Sequence, residues 1–174
     1  MDMTSTKPLA EASQDAPQDT VTELAPDTAT QVAALCWRRR KGELQVLLIT
    51  SRDTGRWVIP KGWPIAGLST AAAAAREAWE EAGVEGKVQD TPLGAFGYDK
   101  VARLSVTVRC TVAVHALRVQ TLKDRFPEAG QRRRVWFKSS EAADLVAEPQ
   151  LQHLLRTISQ TPGLLSRPGA TTVA

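Results

Sequence analysis

The stretch Gly62–Val84, GWPIAGLSTAAAAAREAWEEAGV, decides how this 174-residue chain is read. Ser69 or Thr70 can cap a helix there, the alanine run carries it to Ala82, and Gly83 stops it. With a helix advancing about 100° per residue, Glu81 lies about 40° to one side of Glu77 and Glu80 about 60° to the other. Ala71, Ala74, Ala75, Ala78 and Ala82 gather on the neighbouring face, where small side chains let the helix lie close to a sheet. Three carboxylates this close repel one another unless a cation sits between them. Hard oxygen donors suit Mg²⁺, with Mn²⁺ as a substitute, and not zinc or copper. The glutamates also fall toward the C-terminal half of the helix, where the macrodipole disfavours anions, so helix stability alone does not account for them.

Outward from this helix the pattern is mostly strand. Gln31–Trp37 and Leu44–Thr50 are apolar and β-prone, with Arg38–Gly42 as the turn of a hairpin. Trp57–Ile59 is a short strand stopped by Pro60, and Gly62, Pro64 and Gly67 punctuate a loop over Lys61–Leu68. Val88–Tyr98 and Ser105–Val119 are expected as long strands. In the second, Val112, Val114 and Ala116 alternate with Ala113, His115 and Leu117, as in a strand buried on both faces. Arg132–Lys138 is a further strand, and Ser139–Val146 and Pro149–Ser159 are helices. Helices interrupting a strand series predict a mixed α/β fold, α+β or α/β/α, with a mixed sheet between helices.

The folded body is expected over residues 29–160. Residues 1–28 lack aromatics and periodicity and are expected to be a disordered tail; residues 161–174, with Pro162, Gly163, Pro168 and Gly169, are expected to be a second, flexible one. Charge divides the same way. The first 28 residues carry Lys7 against six acids, for −5, which leaves +8 on the rest and +3 overall. So basic a body points to an anionic partner. No apolar run approaches the roughly 18 residues that span a bilayer, and no secretory leader is evident. Cys36 and Cys110, both in apolar runs, suit buried thiols of a cytoplasmic protein.

Gly62, Arg76-Glu77-Ala78, Glu80-Glu81 and Gly83-Val84 at this spacing resemble the Nudix box: G, five residues, E, seven residues, R-E-apolar-x-E-E-x-G-apolar. Eight of the nine specified positions match; Leu68 stands where the family has a glutamate. The flanks, Arg56-Trp57-Val58-Ile59-Pro60-Lys61-Gly62-Trp63-Pro64 and Arg132-Arg133-Arg134-Val135-Trp136-Phe137, are similar to the diphosphoinositol and diadenosine polyphosphate phosphohydrolases. The resemblance covers roughly residues 31–158. It implies the Nudix fold, an α/β/α sandwich with the box as loop–helix–loop, and a Mg²⁺-dependent hydrolase of diphosphate linkages.

Glu77 and Glu81, i and i+4 on one face, are the candidate metal ligands. Glu80 matches the position assigned as base in the related phosphohydrolases, and Arg76 is expected to pair with a carboxylate. By position in the resemblance, substrate phosphates fall to Thr50, Ser51, Arg52, Lys61, Gly62, Trp63, Lys100 and Arg132. Trp63 is expected to pack on its own core in preference to stacking on a base, and Leu68 to pack under the loop. His115 and His153 are expected to have no catalytic part. Two other classes compete. One is a non-catalytic ligand sensor, raised by Leu68. The other is a nucleic-acid binder, raised by Arg38–Lys41 and Arg132–Arg134, although the sequence shows no recognised module for it.

Overall fold

The computed structural model describes residues 28–101, 107–166 and 170–173. Among the described residues nine strands form one mixed sheet: β1 Thr28–Arg40, β2 Glu43–Thr50, β3 Trp57–Val58, β4 Lys61–Gly62, β5 Val84–Gln89, β6 Gly94–Val101, β7 Thr107–Leu122, β8 Arg134–Lys138 and β9 Ala170–Val173. It is covered by α-helices α1 Thr70–Ala82, α2 Ser139–Leu145 and α3 Pro149–Gln160. β1 and β7 run parallel at the centre, in register from Thr28↔Arg109 to Trp37↔Arg118. The other strand pairs are antiparallel, and β4 continues the β2 side of β1 by pairing Val32↔Gly62 and Ala33↔Lys61.

Alternation along the central strands builds two cores. Val32, Ala34 and Cys36 of β1, with Leu47 and Ile49 of β2, face the alanines of α1. Ala33, Leu35 and Trp37, with Val46, Leu48, Val112, Val114 and Ala116, face α2 and α3. This is the α/β/α sandwich the sequence predicts, and β7 is buried on both faces as expected. His115 lies within β7, fully buried. Its Nδ1–H donates to the Gln89 carbonyl at 2.8 Å, which leaves Nε2 to accept from the Thr70 hydroxyl at 3.1 Å. Burial pushes its pKa down, in keeping with a neutral ring that ties two strands to the start of α1.

α1 begins where the sequence places it. Ser69 Oγ accepts from the Ala72 amide, and Gly83, at φ 67°, closes the helix by donating to the Ala78 and Trp79 carbonyls. Three expectations are corrected. Val88–Tyr98 is not one strand: β5 starts immediately after Gly83, and Asp90–Leu93 turn the chain into β6 because Pro92 has no amide to continue the ladder. Residues 161–174 are not wholly a loose tail. Pro162–Ser166 form a 3-10 turn that buries Leu165 in the α2/α3 core, and β9 hydrogen-bonds along β5. Leu68 does not pack under the loop: it is 46% exposed, beside α1. The expectation for residues 1–28 falls, apart from Thr28, outside the described residues. Among the described residues no helix is long and apolar enough to cross a membrane.

Candidate active site

A cleft of about 580 Å³ opens where β4, the end of β6, the loop after β2 and the C-terminal half of α1 converge. Glu77, Glu80 and Glu81 all line it, so the face inferred from the 3.6-residue repeat is the face the fold presents. Its reach depends on close packing. The alanines of α1 are buried against β1, and the backbone of β4 runs directly past Glu77. A Cβ on Gly62 would fall on the Glu77 carboxyl, which is the physical reason for glycine there.

The carboxylates are held unequally. Glu81 is the most buried of the three: Oε2 accepts the Lys61 amide at 3.1 Å and Oε1 accepts Arg132 Nη2 at 2.6 Å. Burial pushes its pKa up, against the pull of Arg132. Glu80 Oε1 accepts Arg76 Nε at 2.6 Å on the outer side of the helix. Glu77 has neither a hydrogen-bond donor nor an ion-pair partner among the described residues. Burial first, then the charges of Glu81, Glu80 and Glu128, push its carboxyl up to about 7.

The sequence missed Glu128. It lies in the loop after β7, anchored where its amide donates to the Glu80 carbonyl at 3.0 Å. Its carboxylate faces the same cleft, between Arg132 Nε at 3.0 Å and Arg52 Nη1 at 3.6 Å. Nothing local in Arg125–Gln131 marks it; only the tertiary return of this loop to the end of α1 does. Gln31, Arg56 and Tyr98 were missed as well. Tyr98 donates to Gln31 Oε1 at 2.6 Å on the cleft floor. Arg56 sits beside Ser51 and Thr54 in a tight polar turn and reaches Glu148 at 3.6 Å.

Of the expected phosphate-binding residues, Ser51, Arg52, Lys61, Gly62, Trp63, Lys100 and Arg132 line the cleft and Thr50 does not. The Thr50 carbonyl accepts from Arg132 and its hydroxyl accepts the Arg133 amide. Arg132, only 7% exposed, has its guanidinium committed to Glu81, Glu128 and Thr50, so it fixes the acidic wall. Arg134 is likewise engaged, donating to the Ala82 and Lys123 carbonyls at the end of α1. The Arg132–Arg134 run is therefore no open basic strip. Trp63 corrects its own expectation: it is 46% exposed on the cleft rim, with Lys100 Nζ 5.1 Å from the ring centre, because the loop passes over a charged cleft and not over a core. Lys61 Nζ stands 5.2 Å from the Tyr98 ring, and burial lowers its pKa.

The donor set here is all oxygen, and among the described residues Glu77 has no cation seated on it, which fits a hard divalent ion. Glu77, Glu81 and, once released from Arg76, Glu80 are the residues that would hold it. As placed, no three His, Cys, Asp or Glu side chains among the described residues converge on one point, since Arg76 holds Glu80 and Arg132 holds Glu81.

Residues 29–158 match the family described as NUDIX domain. The chain is 33% identical to Nudix hydrolase 13, mitochondrial, of Arabidopsis thaliana, over 66% of this chain and 59% of that protein. It is 31% identical to human diphosphoinositol polyphosphate phosphohydrolase 3-alpha, over 64% of this chain and 65% of the relative. It thus spans less than two-thirds of the length of these relatives. A crystal structure of a C. elegans Ap4A hydrolase superposes with a TM-score of 0.57 at 17% identity, over 78% of this chain and 98% of that one, and shares the fold.

Proposed function

The chain belongs to the Nudix family, and from that premise we propose that it is a Mg²⁺-dependent pyrophosphohydrolase of phosphate-rich small molecules, of dinucleoside polyphosphate or diphosphoinositol polyphosphate type. One observation carries the reading. Four glutamates, Glu77, Glu80, Glu81 and Glu128, and four cationic side chains, Arg52, Arg56, Lys61 and Lys100, line a single cleft. An acidic wall alone would repel a polyphosphate, and a basic wall alone would bind one without a means of cutting it.

Bound Mg²⁺, or Mn²⁺ in its place, neutralises charge on the phosphates and acidifies water. The chain supplies the rest. Lys61 and Lys100 offer point charges to phosphate oxygens, and Arg52 and Arg56 offer planar forks. Trp63 and Ile65 give the rim an apolar surface for the organic part of the substrate. Arg132 and the Lys61 amide hold Glu81 in one orientation, so that little reorganisation is left for the reaction. Glu80 has two carboxylate oxygens to divide between roles: one would serve the ion once Arg76 releases it, and the other takes the proton of the attacking water as the water oxygen bonds to phosphorus and the bridging P–O bond breaks. The buried Cys36 and Cys110 thiols suit a cytoplasmic setting.

The test is a panel of dinucleoside polyphosphates and diphosphoinositol polyphosphates, followed by phosphorus NMR with and without Mg²⁺. Metal-dependent cleavage of an anhydride bond is the expected result. Binding without turnover across the panel would replace this reading with that of a ligand sensor.

A further inference from the structure

Leu68 does not face the cleft. It lines a separate groove of about 370 Å³ on the other side of α1, together with Ala72, Ala75, Arg76 and Trp79. Its position is set by the backbone: its amide donates to the Ile65 carbonyl at 3.0 Å, and the next residue, Ser69, is the cap of α1. Residue 68 and Arg76 thus line the same groove. A carboxylate there would meet the Arg76 guanidinium and also the positive end of the helix. Leucine offers it nothing polar. Arg76 makes one ion pair among the described residues, 2.6 Å to Glu80.

Resting on the hydrolase reading above, we propose that Arg76 is a positioning residue that, lacking a carboxylate at position 68, engages Glu80 in an ion pair that a divalent cation must displace, so that the side chain at 68 sets the metal affinity of this site. The three glutamates of α1 fall within about one turn of the helix, and an ion recruiting Glu80 has to compete with a guanidinium already seated on it. Glu81 is the contrasting case. Its arginine partner is almost fully buried and shared with Glu128 and Thr50, so that pair orients the carboxylate without depending on residue 68. The Arg76–Glu80 pair is solvent-exposed and of i, i+4 type, the kind that a competing charge can redistribute.

The experiment is Mn²⁺ binding to the full chain, read from the electron paramagnetic resonance signal of the free ion at fixed ionic strength. Leu68→Glu, Leu68→Gln, Arg76→Gln and the double variant Leu68→Glu/Arg76→Gln are compared with the wild type. An exposed pair of this kind corresponds to about a two- to threefold change in a binding constant. Leu68→Glu and Arg76→Gln are each expected to tighten Mn²⁺ binding by that amount, Leu68→Gln to leave it unchanged, and the double variant to bind no tighter than Arg76→Gln alone. Equal tightening by Leu68→Glu in both Arg76 backgrounds would reduce the effect to bare added charge and overturn the proposal. So would identical binding by the Glu and Gln variants. Arg76→Gln reads the same competition without altering residue 68. If wild type binds Mn²⁺ no better than Glu81→Gln does, the hydrolase reading falls together with this inference; the outcomes in which wild type binds test the inference alone.

Discussion

The two helical layers cover one sheet by different means. α3 buries Leu151, Leu155 and Ile158 and turns its polar side to solvent, where Arg156 pairs with Asp144. α1 buries six alanines and sets Glu77 and Glu81 against the backbone of β4. A leucine face contributes more burial per residue; an alanine face brings the helix axis closer to the sheet. The same sandwich therefore has a side built for cohesion and a side built for reach. Charge crowding that would be costly at α3 is tolerated at α1, because closeness there puts carboxylates at the floor of a cleft.

The largest expected effect falls on the cohesive side. Leu155→Ala, at a fully buried position, should cost about 3 kcal/mol of stability while leaving turnover per folded molecule unchanged. Denaturant unfolding paired with active-fraction kinetics checks both halves, and a large loss of turnover would mean that α3 shapes the site. Ala78→Leu on the other side overfills a close contact. About 2 kcal/mol of stability should be lost, together with turnover, as α1 is pushed off the sheet.

Gly62→Ala separates the two properties at one atom. The added methyl displaces the far end of a flexible side chain, so melting should change little, while turnover should fall about tenfold, equivalent to about 1.4 kcal/mol, as Glu77 is moved. A wild-type rate would show that Glu77 need not be where the structure places it.

The smallest effect is a pH dependence. The Glu77 carboxyl, raised to about 7 from an ordinary 4.5, binds its proton more tightly in the folded chain than in the unfolded one. The folded state gains from that proton at low pH and loses the gain as pH rises from about 4.5 through 7. In chelator, Glu77→Gln should therefore melt above wild type at pH 8 and level with it at pH 4. After solvent screening of a half-buried group the gap corresponds to about 1 kcal/mol, or about 2–4 °C. A gap of the opposite sign would show that Glu77 is stabilised by its surroundings and not crowded by them.

What the sequence disclosed and what it hid divide along physical lines. The acidic face of α1, its Ser69 and Gly83 boundaries and the two-faced strand β7 follow from local periodicity and capping, which act within a few residues. Glu128 and the commitment of Arg132 are invisible at that range, since they depend on a loop 47 residues beyond Glu81 in the chain returning to it. Leu165 and β9 were hidden for a similar reason. Pro162, Gly163, Pro168 and Gly169 mark a chain without periodic structure of its own, but an open edge on β5 and a gap beside α3 supply partners that composition does not register. The apolar character of Trp63 and Leu68 suggests a core, but this short loop has a charged cleft on one side and a shallow groove on the other, so both side chains stay exposed.

The central claim is that the face of α1 exists for chemistry and not for cohesion, and Glu81→Gln tests it most directly. The substitution keeps shape, and Arg132 retains Glu128 and the Thr50 carbonyl. Turnover of a cleaved polyphosphate at saturating Mg²⁺ should fall at least about a hundredfold, about 2.7 kcal/mol in barrier, while the protein still melts cooperatively. Turnover within about threefold of wild type, less than about 1 kcal/mol, would contradict the claim and remove Glu81 from the reaction.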